Sequence, residues 1–217
     1  MRQRQHLFLN ITRIILLLYI PFSISLGIYY LFTGNIFYSF LSFLTPFWLC
    51  LPQTLPRMLK IRHGYVLLFF YYLFITISYS GGYVLSLNKF SSVYGVSAHF
   101  ITGLFLCMLS LTGLLFYSKQ KLTKQNYWLS SIFSASCAIS ITLLLEIVTI
   151  LLNLLLHYPT VRPIMILCNL SAAIFGAVVF CILTFLSVFK HIHTYPLYAF
   201  EDFLSLNVKS SVTILPE

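Results

Sequence analysis

Acidic residues are almost missing from this chain. Four of its 217 residues are Asp or Glu, and Glu146 is the sole acid among the first 200. Paired carboxylates of the kind that hold a divalent metal therefore have no basis over most of its length. Cysteine is sparse as well. Cys50, Cys107, Cys137, Cys168 and Cys181 all fall inside apolar runs, with no CxxC pair and none in a loop. That pattern argues against disulfides and structural zinc. Also missing are an HExxH sequence and a recognisable nucleophile constellation. Charge of either sign is scarce at 8%, where soluble domains carry about 25%, so no stretch has the composition of a soluble domain.

What is present is hydrocarbon. Hydrophobic residues make up 59% of the chain and the mean hydropathy is +0.93. Apolar runs of about 20 residues with short connections predict an all-α, polytopic membrane bundle of six transmembrane helices, at about 14–32, 36–55, 64–80, 98–117, 128–156 and 164–189. Residues 1–13 precede this domain and 190–217 follow it as a tail. The first apolar run exceeds the 7–15 residues of a signal h-region and ends in aromatics, not in a small-residue cleavage site, so it reads as a retained helix. Thr33-Gly34-Asn35 reads as a turn and Gly81-Gly82 as the start of a connection. Pro21, Pro46 and Pro52 fall inside spans, where neighbouring helices can satisfy the carbonyls that proline frees.

The charges that remain sit in clusters between the runs. With the N-terminus cytoplasmic, the inner segments collect Arg2, Arg4, Arg13, Arg57, Lys60, Arg62, Lys119, Lys121, Lys124, Lys190 and Lys209, while the outer loops hold Lys89 and Arg162. This positive-inside bias predicts both termini inside, in a multi-pass protein of the cell membrane. It also accounts for the net charge of +9 without nucleic acid as a partner. The Asn10-Ile-Thr12 sequon then faces the cytoplasm and carries no glycan.

Within the fifth span, Ser131, Ala135, Thr142, Glu146, Thr149, Asn153 and His157 fall within about 80° of one another at 100° per residue. A glutamate at a helix centre costs about 2.5–3.5 kcal/mol to insert, and the surrounding Leu, Ile, Val and Phe residues each return about 0.3–0.6, so the span inserts with the acid in it. Glu146 lies roughly 15 Å below the outer end of the helix. An isolated carboxyl at that depth is expected to hold or exchange a proton and to mark a functional site. Partners are available at matching depth. His99, Thr102, Gly103, Leu106, Ser110, Gly113 and Tyr117 share a face of the fourth span, and Asn169, Ala172, Ala173 and Gly176 share one of the sixth. Glu146, His99, Asn169, Thr149 and Asn153 are the candidate binding or proton-exchanging residues. No catalytic residue, metal ligand or cofactor is assigned: His191-x-His193 has metal-like spacing but sits beside Lys190 and reads as further positive-inside charge.

Three segments resemble the YjdF-like family of small bacterial integral membrane proteins, related to the VanZ-like type. His99-Phe-Ile-Thr-Gly103 is similar to its Asp-Lys-x-x-His-Phe-x-Ser-Gly signature, Leu145-Glu146-Ile-Val-Thr149 to its Trp-Glu-Ile-Phe-Glu, and residues 169–177 to its Asp-Leu-Ile-Ala-Asn-Thr-Leu-Gly-Ala. Where the family has acids, this chain has Gly95, Thr149 and Asn169, so the resemblance implies a divergent member that keeps His99 and Glu146 of a more acidic site. The expected role is binding of a small solute or lipid headgroup, or proton exchange, at Glu146. The alternatives are a non-catalytic accessory subunit with a membrane protein partner, and an intramembrane enzyme on a lipid-linked substrate using His99 and Glu146 as acid and base.

Overall fold

The computed structural model describes residues 2–58, 64–85, 87, 92–155, 163–190, 192, 194, 203 and 204. Those residues are almost entirely helical, without a strand. The helices are α1 (Arg2–Phe32), α2 (Ile36–Met58), α3 (Tyr65–Phe74), α4 (Ser92–Ser118), α5 (Tyr127–Leu155) and α6 (Pro163–Lys190); α3 runs on without a break into a π-helix, Ile75–Val84. Five of them are long and apolar enough to cross a membrane, and Val66–Gly82 is a shorter apolar helix. The large aliphatic and aromatic residues that stay exposed, among them Leu17, Phe32, Ile36, Leu129 and Leu144, need hydrocarbon around them. The chain is a multi-pass membrane protein in a lipid bilayer.

Two helix ends are closed by backbone geometry. Gly34 adopts φ +77°, Asn35 N–H donates to the Tyr30 carbonyl and Gly34 N–H to that of Leu31. This is the pattern that uses a left-handed residue to satisfy the last carbonyls. Lys119 (φ 54°) does the same after α4, with Gln120 N–H donating to Leu115 and its own to Phe116. The expected turn at 33–35 is therefore present. The connection expected from Gly81 onward begins later: Gly81 and Gly82 belong to the π-helix, and α4 starts at Ser92, six residues ahead of the expected span. The apolar stretch of α4 itself reaches back to Val93, ahead of the start at Ala98 that the sequence pattern suggested.

Packing divides the molecule into two halves that share α3 and α4. In the first, α2 lies against α1 and the π-helix, and α1 also meets α3. Leu49, Tyr72 and Ile75 are buried there. In the second, α4 packs most extensively on α6 and also on α5, around Phe105, Cys107, Met108, Leu111, Leu115, Ala138, Ala177 and Phe180. A Cβ on Gly103 would collide with the Ala173 backbone, and one on Gly176 with the Phe100 carbonyl. The α4 and α6 backbones touch because these positions are small. From the tail, Leu204 joins this core and Phe203 packs against Phe116 with tilted rings at a centroid distance of 5.7 Å.

Candidate functional site: a buried carboxyl between three helices

On α5 three hydroxyls, two of them in the polar stripe, bond back to their own helix. Ser134 donates to the Ser130 carbonyl (2.7 Å), Thr142 to that of Ala138 (2.8 Å) and Thr149 to that of Leu145 (2.8 Å). Each is a one-turn back-bond that lets a hydroxyl sit in an apolar setting. A carboxyl has no such local solution, because backbone N–H groups within a helix are already used. Glu146 must look to other helices.

It finds them. Asn169 Nδ2 on α6 donates to Glu146 Oε1 at 3.2 Å, and His99 Nε2 on α4 lies 3.5 Å from the same oxygen. Glu146 is buried, while the His99 side chain keeps 22% of its surface against 8% for that of Glu146. The depth match follows from direction. Helices α4 and α6 enter at the end of the bundle where α5 finishes, and Glu146 lies nine residues before Leu155, about 14 Å at 1.5 Å per residue. His99 and Asn169 follow their helix starts by seven and six residues, about 10 Å each.

Oε1 therefore offers one lone pair to a made amide hydrogen bond and faces an imidazole with the other. The 3.5 Å separation is within ion-pairing reach but longer than the roughly 2.7–3.2 Å of a formed N–H···O bond. Closing by about 0.5 Å would complete it, and catalytic and proton-transfer contacts tighten in this way on engagement. Among the described residues, no group of three or more His, Cys, Asp or Glu side chains comes together.

Of the candidate residues, the structure joins Glu146, His99 and Asn169. Thr149 is only partly buried and bonds to its own helix. Asn153 belongs to α5, but its side chain, like His157, Lys89, Arg162 and the His191-x-His193 side chains, lies outside the described set. Along α4 the predicted shared face holds for Thr102, Gly103 and Leu106, which are buried, and ends before Tyr117, which is 84% exposed. On α5, Ser131 and Thr142 are buried with Glu146. Sequence reading missed Ser78, which lies in the π-helix and meets Thr102 across helices at 3.0 Å. A serine among Thr76, Tyr79 and Ser80 carries no periodic signal that would single it out.

A shallow apolar groove lies beside this site, lined by Val96 of α4 and by Ile164, Leu167, Cys168, Ser171 and Ala172 of α6. Val96 precedes His99 by about one turn, and Ala172 follows Asn169 by the same interval. Glu146 does not line it.

Fold and site together define a class: a polytopic α-helical membrane protein with a carboxyl–imidazole–amide cluster inside its helix bundle. No protein-family model, curated protein or solved structure matches the chain.

Proposed function

We propose that this chain is a six-span protein of the cell membrane, with both termini cytoplasmic, whose Glu146 and His99 exchange a proton. The contact that carries the reading is His99 Nε2 to Glu146 Oε1 at 3.5 Å, with Asn169 held on the same oxygen at 3.2 Å. In the exchange, an imidazolium gives its Nε2 proton to Oε1, leaving a neutral imidazole and a carboxylic acid. No net charge is created, which suits a low-dielectric site. Asn169 stays bonded throughout and fixes the carboxyl plane. The more exposed imidazole is the group that meets protons from outside. The sixth span in this reading is α3 with its π-helix, supported by the alternation of loop charge. The similarity of residues 99–103, 145–149 and 169–177 to the YjdF-like motifs supports a divergent member of that family, because all three segments meet at one site.

The groove beside His99 and Asn169 favours a second form of the same reading, in which the cluster takes the polar headgroup of a lipid whose chain lies in the groove. Protein in lipid nanodiscs, labelled with 15N at histidine, tests the proton exchange. Proton exchange predicts that Glu146→Gln displaces the His99 titration curve while the other histidines keep theirs. A His99 curve identical in the wild type and in Glu146→Gln would overturn it.

A further inference from the structure

We propose that Ser78 and Thr102 are positioning residues for His99, and that the π-helix exists to present the first of them; the inference rests on the reading of His99 and Glu146 as the working pair. Ser78 and Thr102 are both buried. Ser78 Oγ donates to the Ala98 carbonyl at 3.1 Å. Thr102 Oγ1 lies 2.8 Å from that same carbonyl and 3.0 Å from Ser78 Oγ. Two hydroxyl protons thus serve three short contacts around one acceptor.

The acceptor is the informative atom. The Ala98 carbonyl belongs to the peptide unit that joins Ala98 to His99, so the triangle grips the plane from which the imidazole hangs. Thr102 brackets His99 from the following turn. One turn earlier, Tyr94 donates its hydroxyl to the Ile77 carbonyl at 2.6 Å, passing over Gly81 where a Cβ would collide with it. Positions 94, 98 and 102 form a single i, i+4, i+8 stripe on α4, and all three engage the π-helix. His99 is rotated about 100° from Ala98 and faces Glu146 instead.

A π-helix is rare and poorly favoured, and it appears mostly as a short feature of functional sites. Here it runs through ten residues, and its widened turn sets the serine against α4. The consequence is geometric. With His99 Nε2 3.5 Å from Oε1, a slide of α4 by about 0.5 Å decides whether a hydrogen bond forms. Holding the Ala98–His99 peptide fixes that slide.

The test uses the full chain in nanodiscs with 15N-histidine, the His99 signal being assigned by its loss in His99→Asn. Ser78→Ala removes one oxygen and Thr102→Val removes the second hydroxyl. Each is expected to displace the His99 ring resonances and to abolish their response to Glu146→Gln, while Thr102→Ser restores both and the thermal midpoints stay alike. Wild-type His99 resonances in Ser78→Ala and Thr102→Val would overturn the proposal, as would a fall in thermal midpoint with no change at His99. Should Thr102→Val fail to fold, Ser78→Ala decides alone. If Glu146→Gln leaves His99 unmoved but Ser78→Ala displaces it, proton exchange fails and the positioning role stands.

Discussion

The two halves of the molecule solve the same problem in opposite ways. In the first half, helices are joined by tyrosines whose hydroxyls cross to a neighbour's backbone. Tyr71 donates to the Trp48 carbonyl (2.6 Å), Tyr72 to that of Leu49 (3.1 Å) and Tyr79 to that of Leu41 (2.9 Å). In the second half, helices are drawn together at the small residues Gly103, Ala173 and Gly176; one tyrosine still crosses to backbone, Tyr127 donating to the Cys181 carbonyl at 2.6 Å, but the ionisable contacts run from side chain to side chain. One of the three tyrosine bonds of the first half answers a proline. Pro52 lies inside α2 and has no N–H, so the carbonyl four residues back, that of Trp48, loses its helical donor. Tyr71 supplies the missing proton from α3. In α4, α5 and α6 no proline interrupts the described spans beyond the first residue of α6, so no carbonyl there is freed in this way, and Glu146, His99 and Asn169 add a side-chain cluster between the helices. The first half ties its helices through tyrosine hydroxyls and backbone carbonyls; the second encloses a carboxyl, an imidazole and an amide.

Three changes would break or sharpen that contrast. The largest effect belongs to close approach. Gly176→Val places branched carbons into the Phe100 backbone, and overpacking of about 1–3 kcal/mol or more is expected to remove the folded species in size-exclusion and thermal-melt measurements. Gly113→Ala, where nothing lies within 4 Å, should melt as the wild type does. Equal melts for the two variants would refute the packing account.

Next comes the proline-freed carbonyl. Tyr71→Phe leaves a half-buried acceptor without its donor and should cost about 1–3 kcal/mol. The sharper measurement is a double-mutant cycle with Pro52→Ala, which returns an N–H to the helix. In that background Tyr71→Phe should cost clearly less, and strict additivity of the two changes would show that the tyrosine does not answer the proline.

The smallest effect on stability is expected at the site itself. Glu146→Gln keeps an oxygen for Asn169, and interhelical polar bonds in bilayers are worth about 0.6 kcal/mol on average. Its melt should therefore stay near the wild type even as its His99 titration changes. A collapse of the fold in this variant would mean that the carboxyl is structural.

Much of the site was legible before the fold. Glu146 stood out because a lone acid in hydrocarbon must find partners, and the rise along the helices put Asn169 at its depth; His99 was expected near the outer end, and the turns from Ser92 that α4 adds ahead of the expected span bring it level with Glu146. The contact to Asn169 was expected from counting rise along two helices, and it is made. Less legible were features that depend on two chains of backbone meeting. The hydroxyl triangle of Ser78, Thr102 and Ala98 needs a π-helix, and nothing in Ile75–Val84 distinguishes that winding from an α-helix in composition. Nor did the tail reveal that Phe203 and Leu204 fold back onto Phe116 and the main core.

The sequence by itself determined that the chain lives in a bilayer, where its helices begin to be apolar, and which single carboxyl would need an explanation. These follow from transfer free energy and from a fixed helical period, both local properties. Only the tertiary structure decided which of several polar neighbours Glu146 would use and that Gly103 and Gly176 would become points of backbone contact. It also decided that a serine from another helix would hold the peptide next to His99. Those outcomes depend on crossing geometry and on sub-ångström distances between segments far apart in the chain, which no local preference encodes.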